Sequence, residues 1–352
     1  MEKKLAFFLS GGVKNPSSRI RGYITSKYLQ KNGVHTLVFF CEIVEGSKLK
    51  KGIYLFKDFL YKIYLAMRLD KETDVFIQKG SNPLAPLSLL FLLFTKFVLK
   101  KRIIYDIDDA LFTKQRFVIN NYFKISDLII VGSHELLNYA RRFKDDVFLI
   151  PTSVEPRRYL PTKIDHKIEG LILGFVGSFS TNKYMKLLLN PLVTLAKNYD
   201  FELRVVSAPT MEDYEVFRSL YKSFENRGVK VILIPWKMNE EMFQLQKIDI
   251  GLAPLFSEVW SKYKGGYKTI NYMAAGIPPV ASNISEHTYI IQDGINGFLC
   301  NNNQDWIDNL RKLIEDEDLR KKMGAEARKT VEEKYSMEKN GKRLAEILTN
   351  IL

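Results

Sequence analysis

The chain of 352 residues is long enough for two ordinary domains, each with its own core. Its composition, 46% hydrophobic and 26% charged, is that of a globular protein and excludes a disordered or low-complexity chain. The formal net charge of +13 favours a polyanionic partner: a nucleic acid, an anionic lipid or a phosphorylated small molecule. Because the lysines and arginines are spread along the chain and no nucleic-acid recognition motif is found, nucleic acid is the least favoured of these partners.

Strand-like and helical patterns alternate through the first half of the chain. A short apolar run, Leu5 to Leu9, ends in the glycine turn Ser10-Gly11-Gly12 and is followed by a helical pattern over 17–33. Further strands are predicted at 34–40, 75–79, 102–105, 128–131 and 147–150, with helices at 84–99 and 134–143. Strands that alternate with helices predict a parallel sheet covered on both faces.

The alternation stops and then restarts, which divides the chain into two α/β domains. The stretch 151–170 contains Pro156 and Pro161 and few apolar residues, as a domain boundary does. Strands are then predicted at 171–176, 201–206, 229–234, 249–254 and 279–282, with helices at 187–195, 306–314, 318–334 and 337–352. We predict a first Rossmann-like domain at 1–155, a linker at 156–169, a second Rossmann-like domain at 170–336, and a C-terminal helix at 337–352 that can cross back to the first domain.

Both domains are predicted to be doubly wound parallel sheets that face a central cleft. In such folds the ligand binds outside the carboxyl ends of the strands, where the strand order reverses. The glycine turns Gly11-Gly12 and Gly177-Ser178 each follow a predicted strand directly, so we expect them to line this cleft.

Two features bear on the cellular location. Cys41 and Cys300 lie far apart without metal-ligand spacing, so two free thiols are expected in place of a disulfide or a zinc site. The first apolar run is too short for a secretion signal, which favours the cytoplasm.

The segment 84–102 joins a Leu- and Phe-rich run to a basic end and is too short to span a bilayer. It is either a helix buried against a sheet or a helix partly inserted in an anionic membrane surface.

A lysine- and glycine-rich turn precedes a predicted helix in the second half. Lys264 and Lys268 flank the pair Gly265-Gly266. Glycines let the backbone approach a ligand closely, and the amino end of a helix offers N–H groups and a positive dipole. The turn therefore predicts a diphosphate site, with a solvated helix cap as the alternative.

Short motifs occur in order along nearly the whole chain. In the first half they are Ser10-Gly11-Gly12, Ser17-Ser18-Arg19-Ile20-Arg21 and the stretch RIIYDIDDA at 102–110. In the second half they are GFVGS at 174–178, DIGLAPL at 249–255, KGGYK at 264–268, YMAAGIP at 272–278, DGINGFL at 293–299 and MGAEAR at 323–328. Each motif is weak alone, but the ordered series is strong. It resembles the nucleotide-sugar glycosyltransferases of the two-Rossmann (GT-B) type, in particular the retaining family 4 (glycosyl transferases group 1).

This resemblance implies transfer of a sugar from a nucleotide-sugar donor to an acceptor hydroxyl, with retention at the anomeric carbon. It implies that Lys268 is a catalytic cation against the leaving diphosphate, so that neither a metal nor another cofactor is needed. The further residues implied at the donor are Gly12, Gly177, Ser178, Lys183, Trp236, Lys264, Gly265, Gly266 and Asn271. The residues implied on the acceptor side are Gly11 and Arg19.

The chain departs from the family pattern at two kinds of position. Many members carry two glutamates eight positions apart, where this chain has Tyr263 and Asn271. Asn271 keeps the ability to form hydrogen bonds but carries no charge. Members often have a histidine after the strand of the YDIDDA stretch, and here carboxylates replace it. Asp106, Asp108 and Asp109 are candidates for contacting the donor sugar or deprotonating the acceptor, with helix capping as the alternative.

We therefore predict a cytoplasmic glycosyltransferase, peripheral on the inner face of the membrane, that elongates a surface glycan or a lipid-linked saccharide beside an anionic membrane surface. The alternatives are a catalytically weak partner subunit that binds sugar nucleotides or glycans, favoured by Tyr263 and Asn271, and a UDP-sugar epimerase on the same scaffold. The Asp-rich stretch also resembles the DxD motif of single-Rossmann glycosyltransferases and the nucleophile motif of haloacid-dehalogenase-type phosphohydrolases. Neither of these explains the second half of the chain.

Overall fold

The computed structural model describes residues 3–41, 47–159, 170–208, 210–238 and 240–351. The chain divides into two compact units. The first unit comprises Met1–Ser153, Tyr263–Gly265 and Met337–Leu352, and the second comprises Val154–Lys262 and Gly266–Ser336. Most of the predicted linker, at 160–169, lies outside the described residues.

Each unit is built on one parallel sheet. The strands of the first sheet are β1 (Lys4–Leu9), β2 (His35–Phe39), β3 (Thr73–Gln78), β4 (Ile103–Ile107), β5 (Leu128–Val131) and β6 (Val147–Leu149), in the order β2-β1-β3-β4-β5-β6. The strands of the second sheet are β7 (Ile172–Val176), β8 (Glu202–Val206), β9 (Lys230–Ile234), β10 (Ile250–Ala253), β11 (Pro279–Ser282) and β12 (Phe298–Cys300), in the order β12-β11-β10-β7-β8-β9.

Helices connect these strands. In chain order the α-helices are α1 (Thr25–Lys31), α2 (Lys48–Met67), α3 (Ala85–Leu93), α4 (Arg116–Ile125), α5 (His134–Ala140), α6 (Leu189–Leu195), α7 (Met211–Tyr214), α8 (Arg218–Glu225), α9 (Glu241–Leu245), α10 (Val259–Lys262), α11 (Tyr267–Ala274), α12 (His287–Ile290), α13 (Asn303–Glu315), α14 (Glu317–Thr330) and α15 (Met337–Ile351). Turns of π-helix occur at Ser18–Ile24, Phe94–Val98 and Val331–Tyr335, and 3₁₀-helix at Leu111–Thr113, Pro156–Arg158, Phe179–Leu188 and Glu215–Phe217.

The strands in the middle of both sheets are buried on both faces, which confirms the predicted doubly wound fold. Every residue of β3, β4, β7 and β10 is buried. Successive residues of β7 enter opposite cores, since Leu173 packs with Leu192 in one cluster and Ile172 packs with Met273 in the other. A parallel strand covered by helices on both faces favours apolar residues, and this is why the middle residues of these strands appear in the sequence as apolar runs, with polar residues such as Asp106 near the strand ends.

Some elements were not predicted. The longest is α2, which lies in a stretch to which the sequence analysis assigns no element, and the shortest is β12, whose three residues pair with β11. A three-residue edge strand carries too little periodicity to be recognised. Helix α2 was missed because apolar residues occur on more than one of its faces, which obscures the helical period in the sequence.

The last helix, α15, belongs to the first unit although it follows the second unit along the chain. Its Leu344 and Leu348 join the core formed by Phe7 of β1 and Leu29 of α1. Gly341 lets α15 approach closely, because a Cβ atom there would lie 2.5 Å from the ring of Tyr28.

Each sheet has one position where the strand order reverses. In the first sheet it lies between β1 and β3, and in the second between β7 and β10. At such a switch point the connections leave in opposite directions and open a crevice at the carboxyl ends of the two strands. The fold therefore places one crevice in each unit, after Leu9 and Gln78 in the first and after Val176 and Ala253 in the second.

The apolar segment 84–102 is partly core and partly surface. Phe91 is fully buried, with its ring centroid 4.8 Å from that of Phe8, whereas Leu90, Phe97 and Val98 are exposed. The helix is thus packed on the sheet through one face, as one of the two interpretations predicted. Within the described residues, none of the helices combines the length and the apolar character that crossing a bilayer requires.

Both cysteines are free, as predicted, and the structure shows that both are buried. Burial raises the pKa of the Cys41 thiol and of the Cys300 thiol to about 12. Each thiol therefore stays protonated at neutral pH, and we expect it to be unreactive in the folded protein.

We predict that Phe91→Ser lowers the free energy of unfolding by about 3–5 kcal/mol, because it leaves a cavity and buries a hydroxyl group. Leu90→Ser is the matched control, since Leu90 is the adjacent residue of the same helix and is 52% exposed. The control is expected to change the stability by less than about 0.5 kcal/mol. Urea unfolding measures both variants, and equal stabilities would show that Phe91 is not a core residue.

Candidate functional site

A tyrosine of α11 fills the gap where β7 and β10 separate. The two strands pair only at Leu173–Ile250 and Gly174–Gly251, so the backbone N–H of Val176 has no partner on β10. The Tyr272 hydroxyl accepts a hydrogen bond from this N–H at 2.8 Å and donates to the carbonyl oxygen of Gly174 at 3.1 Å. Its ring lies against Gly251, where a Cβ atom would be 2.4 Å away. This contact fixes α11 on the switch point of the second sheet.

The amino end of α11 brings three predicted donor residues together. Gly266 is its N-cap residue and has φ 65°, a left-handed conformation that glycine adopts without strain. In the first turn, the Lys268 ammonium lies 3.4 Å from the centroid of the Phe175 ring, at the end of β7. A Cβ atom on Gly177 would lie 2.8 Å from Lys268 Nζ, so the missing side chain leaves room for the lysine in this position. A lysine, a glycine turn and a helix amino end together form an arrangement that can bind a phosphate group.

The other predicted donor residues have different surroundings. The half-exposed Lys183 donates to Glu258 Oε1 at 2.8 Å, and Tyr184 donates to the same oxygen at 2.9 Å. The hydrogen bond from Lys183 is the main reason why the pKa of Glu258 lies below its ordinary value. Ser178 begins the 3₁₀ segment after β7, and the Trp236 indole donates to Glu241 at 3.2 Å. The structure therefore gives Lys183 an internal acidic partner, which the sequence did not indicate.

The two positions that depart from the family pattern are both engaged in internal contacts. Asn271 is 5% exposed, and its Oδ1 accepts a hydrogen bond from the Tyr159 hydroxyl at 2.9 Å. Burial raises the pKa of Tyr159 well above its ordinary value, so this hydroxyl stays a donor. Tyr263 groups with the first unit, where its ring meets Phe112 edge-on at 4.9 Å. Neither side chain supplies a carboxylate.

In the first unit, Asp106 is held by a buried arginine. Arg21 donates to both carboxylate oxygens of Asp106, through Nε at 2.9 Å and through a terminal nitrogen at 2.5 Å. The same guanidinium also donates to the carbonyl oxygen of Ile150 at 2.9 Å. Burial tends to lower the pKa of Arg21, but Asp106 outweighs it and holds the pKa above its ordinary value. With both oxygens occupied, Asp106 is suited to positioning the strand end and not to proton transfer.

Asp108 and Asp109 surround the ammonium group of Lys79. Lys79 Nζ lies 3.1 Å from Asp108 Oδ1 and contacts Asp109 Oδ2, while Ser17 donates to the other oxygen of Asp108 at 2.7 Å. Burial tends to raise the pKa of Asp109, but Lys79 and then Lys264 outweigh it, so the pKa is lowered. Asp109 is therefore ionised at neutral pH. An ionised carboxylate accepts hydrogen bonds from hydroxyl groups, although a low pKa makes it a weak general base.

The predicted acceptor-side residues lie in the loop that leaves β1. The carbonyl oxygen of Gly12 accepts from the N–H of Asn15 at 2.9 Å, and a Cβ atom on Gly11 would lie 2.9 Å from Asn15 Cβ. Arg19 donates to the carbonyl oxygen of Val13 at 3.3 Å. This tight turn follows β1 at the switch point of the first sheet. Arg19 is thus tied to its own loop.

Three charged residues that could act at a functional site were not identified from the sequence. Lys79 follows β3 with φ 61°, an uncommon conformation for a residue other than glycine, and such outliers concentrate at functional sites. Glu258 pairs with Lys183, as described above. Glu286 is 2% exposed and lies beside the amino end of α11, where a Cβ atom on Gly266 would be 3.5 Å from its Cβ. Of these, only Lys79 has a signal in the sequence, because it is the last residue of a predicted strand and precedes a glycine.

Across the described ranges, no group of three or more His, Cys, Asp and Glu side chains is arranged to hold a metal ion.

Comparison with protein families confirms the resemblance inferred from the motifs. Residues 160–330 match the family model described as "Glycosyl transferases group 1". An uncharacterized glycosyltransferase of Methanocaldococcus jannaschii is 29% identical over 173 residues, which cover 47% of this chain and 44% of that protein. The matched region therefore spans less than half of this curated relative.

Solved structures confirm the GT-B fold. A glycosyltransferase from Rickettsia africae aligns with a TM-score of 0.72 and 16% identity, covering 100% of this chain and 99% of the other. HepE of Anabaena, in complex with UDP and glucose, aligns with a TM-score of 0.73 and 15% identity over 99% of this chain and 100% of its own. Sucrose-phosphate synthase from Thermosynechococcus elongatus aligns with a TM-score of 0.74 and 14% identity, covering 99% of both chains. At such identities the likeness establishes the fold alone.

We predict that Tyr272→Phe lowers the free energy of unfolding by about 1–3 kcal/mol, because it leaves the buried N–H of Val176 without a partner. Tyr199→Phe is the matched control, since the Tyr199 hydroxyl donates to Glu315 at the exposed surface. Water replaces that hydrogen bond, so the control should stay within about 0.5 kcal/mol of the parent protein. Urea denaturation distinguishes the two, and an equal loss in both variants would contradict the assigned role of Tyr272.

We also predict that Arg21→Ala destabilises the protein by about 3–5 kcal/mol, because it leaves the Asp106 carboxylate buried and unpaired. Arg218→Ala serves as the comparison: this arginine pairs with Glu215 at 3.0 Å, and both side chains are well exposed. Arg218→Ala should lower the free energy of unfolding by only about 0–1 kcal/mol. Adding Asp106→Ala to Arg21→Ala should restore part of the stability; a strictly additive double variant would disprove the coupling of the pair.

Proposed function

We propose, on the premise that residues 160–330 belong to the group 1 glycosyltransferase family, that this protein transfers a sugar from a nucleotide-sugar donor to an acceptor hydroxyl with retention at the anomeric carbon. The observation that carries the proposal is the position of Lys268, in the first turn of α11 and against Gly177 at the switch point. The helix amino end and the strand order support this place for the donor, which lies within the part of the chain that matches the family.

The proposed chemistry depends on stabilising negative charge. As the bond between the sugar and the diphosphate breaks, charge accumulates on the diphosphate oxygens. A positioned ammonium group and helix N–H groups stabilise that charge more in the transition state than in the bound donor. We assign this role to Lys268 and to the amino end of α11 at Gly266, with Gly177 allowing close approach. In this proposal lysine supplies the cation and no metal is required.

The residues of the first unit are assigned to the hydroxyl groups. Asp108 and Asp109 both pair with Lys79, and their carboxylate oxygens are suited to accept hydrogen bonds from sugar or acceptor hydroxyls. Asp106 is assigned a positioning role, because Arg21 occupies both of its oxygens. Gly11 and Arg19 remain the proposed acceptor-side loop. We propose a surface glycan or a lipid-linked saccharide as acceptor, and a peripheral location at the membrane.

A second candidate function is a subunit that binds sugar nucleotides or glycans without turnover. The observation that favours it is the absence of a carboxylate at Tyr263 and Asn271, together with the internal hydrogen bond of Asn271. The two candidates differ in one measurement, namely product formation from a bound donor. Binding of a UDP- or GDP-sugar without transfer or hydrolysis over many hours would favour the binding subunit.

The donor is best sought by thermal shift with a panel of UDP- and GDP-sugars, because a ligand that binds the folded state raises the melting temperature. We predict that Lys268→Ala weakens binding of the selected donor about 10- to 100-fold, as expected for the loss of a hydrogen bond from a charged group, and abolishes transfer. Isothermal titration calorimetry measures the affinity.

Lys262→Ala is the matched control for this substitution. It removes the same charge from an exposed position just before the glycine turn, and donor affinity should stay within about twofold of the parent protein. Unchanged affinity in Lys268→Ala would contradict the phosphate assignment.

A further inference from the structure

Helix α2 of the first unit turns a polar side inward. Lys62, which is 1% exposed, lies 3.2 Å from the Asp58 carboxylate. Its ammonium group donates to the carbonyl oxygens of Leu9 at 3.0 Å and Ser81 at 2.5 Å. Asn82 adds two hydrogen bonds to the helix, including one to Asp58 at 3.0 Å. The charged residues of this face are therefore used inside the protein, at the carboxyl ends of β1 and β3.

The opposite side of α2 carries large apolar residues in steps of three or four. This apolar stripe consists of Leu49, Ile53, Phe56, Leu60, Tyr64 and Met67, which are between 47% and 75% exposed. Steps of three and four residues place all six on one face of a helix. Monomeric soluble proteins rarely leave a continuous apolar face of this kind in water, so the stripe indicates an interaction surface.

The charges around the stripe select the partner. Exposed lysines border it at Lys48, Lys50 and Lys57. The single acidic residue of α2, Asp58, faces inward, with its side chain 7% exposed. An apolar face bordered by lysines without exposed carboxylates is typical of a helix that lies in the surface of an anionic membrane. A second copy of this chain fits less well, because a two-fold contact would bring the lysines of both copies together.

We propose that the apolar stripe of α2 inserts into the surface of an anionic lipid bilayer while the neighbouring lysines contact the lipid phosphates. This inference rests on the peripheral location proposed above and identifies the surface responsible. The inner side of α2 holds the strand ends of the first switch point. Docking through α2 therefore keeps that switch point next to the bilayer, where the sugar of a lipid-linked acceptor is exposed.

The test is vesicle flotation of the full chain with phosphatidylcholine vesicles, either alone or containing phosphatidylglycerol. The parent protein should bind the anionic vesicles at least about tenfold more strongly than the neutral ones, and less at high salt. Ile53→Ser combined with Phe56→Ser should lower binding to anionic vesicles about tenfold or more, since the substitutions remove two large apolar side chains from the stripe. Lys50→Glu combined with Lys57→Glu should also lower binding to anionic vesicles, without removing any apolar group.

Phe117→Ser combined with Val216→Ser is the matched control, because these residues are 74% and 70% exposed and lie outside α2. It should float like the parent protein, and equal melting temperatures would confirm that every variant is folded. The proposal is overturned if the parent protein binds neither vesicle or if the α2 variants bind as it does. It is also overturned if light scattering shows a dimer that Ile53→Ser with Phe56→Ser dissociates. Flotation measures vesicle binding alone, so a failure of the membrane proposal can be distinguished from a failure of sugar transfer.

Discussion

The candidate donor site depends on one hydrogen-bonded side chain, Tyr272. Parallel strands on the two sides of a switch point separate, and the backbone groups at the separation lose their normal partners. The Tyr272 hydroxyl satisfies the N–H of Val176 and bonds back to Gly174, so α11 is anchored to β7 through the same group that closes the gap. Burial raises the pKa of Tyr272, which keeps the hydroxyl a donor. This anchor determines where the amino end of α11, and with it Lys268, lies.

In the first unit, buried ion pairs organise the residues at the strand ends, whereas in the second unit the candidate donor site is organised by the amino end of a helix. Arg21 neutralises Asp106 at the end of β4, and Lys79 lies between Asp108 and Asp109 just beyond it. Buried charges are tolerated only when they are paired, so these contacts also hold the loops after β1 and β3 in place. The division of roles follows from this arrangement. A fully paired Asp106 keeps the geometry, and the partly exposed Asp108 and Asp109 can meet a ligand.

Helix α2 connects this network to the surface of the protein. Its Lys62 donates to carbonyl groups at the strand ends and pairs with Asp58, so these two charges are used inside the protein while the apolar stripe lies on the outer face. The inverted helix is therefore a consequence of the same need to pair polar groups at the switch point. A membrane partner would cover the apolar stripe and extend the positive surface that the net charge of +13 indicates.

Local patterns in the sequence determined the alternation of strands and helices, the two parallel sheets and the association of Lys268 with a glycine turn before a helix. These features depend on residues close together in the chain, namely continuous apolar runs, glycines after strands and helical periodicity. Only the tertiary structure decided how each carboxylate is paired, because Asp106 finds its partner in Arg21, 85 residues away, and Asp109 finds its partner in Lys79, 30 residues away. It also decided which face of α2 is buried, since Lys62 pairs with carbonyl oxygens of Leu9 and Ser81, and a sequence pattern does not reveal backbone acceptors on distant strands.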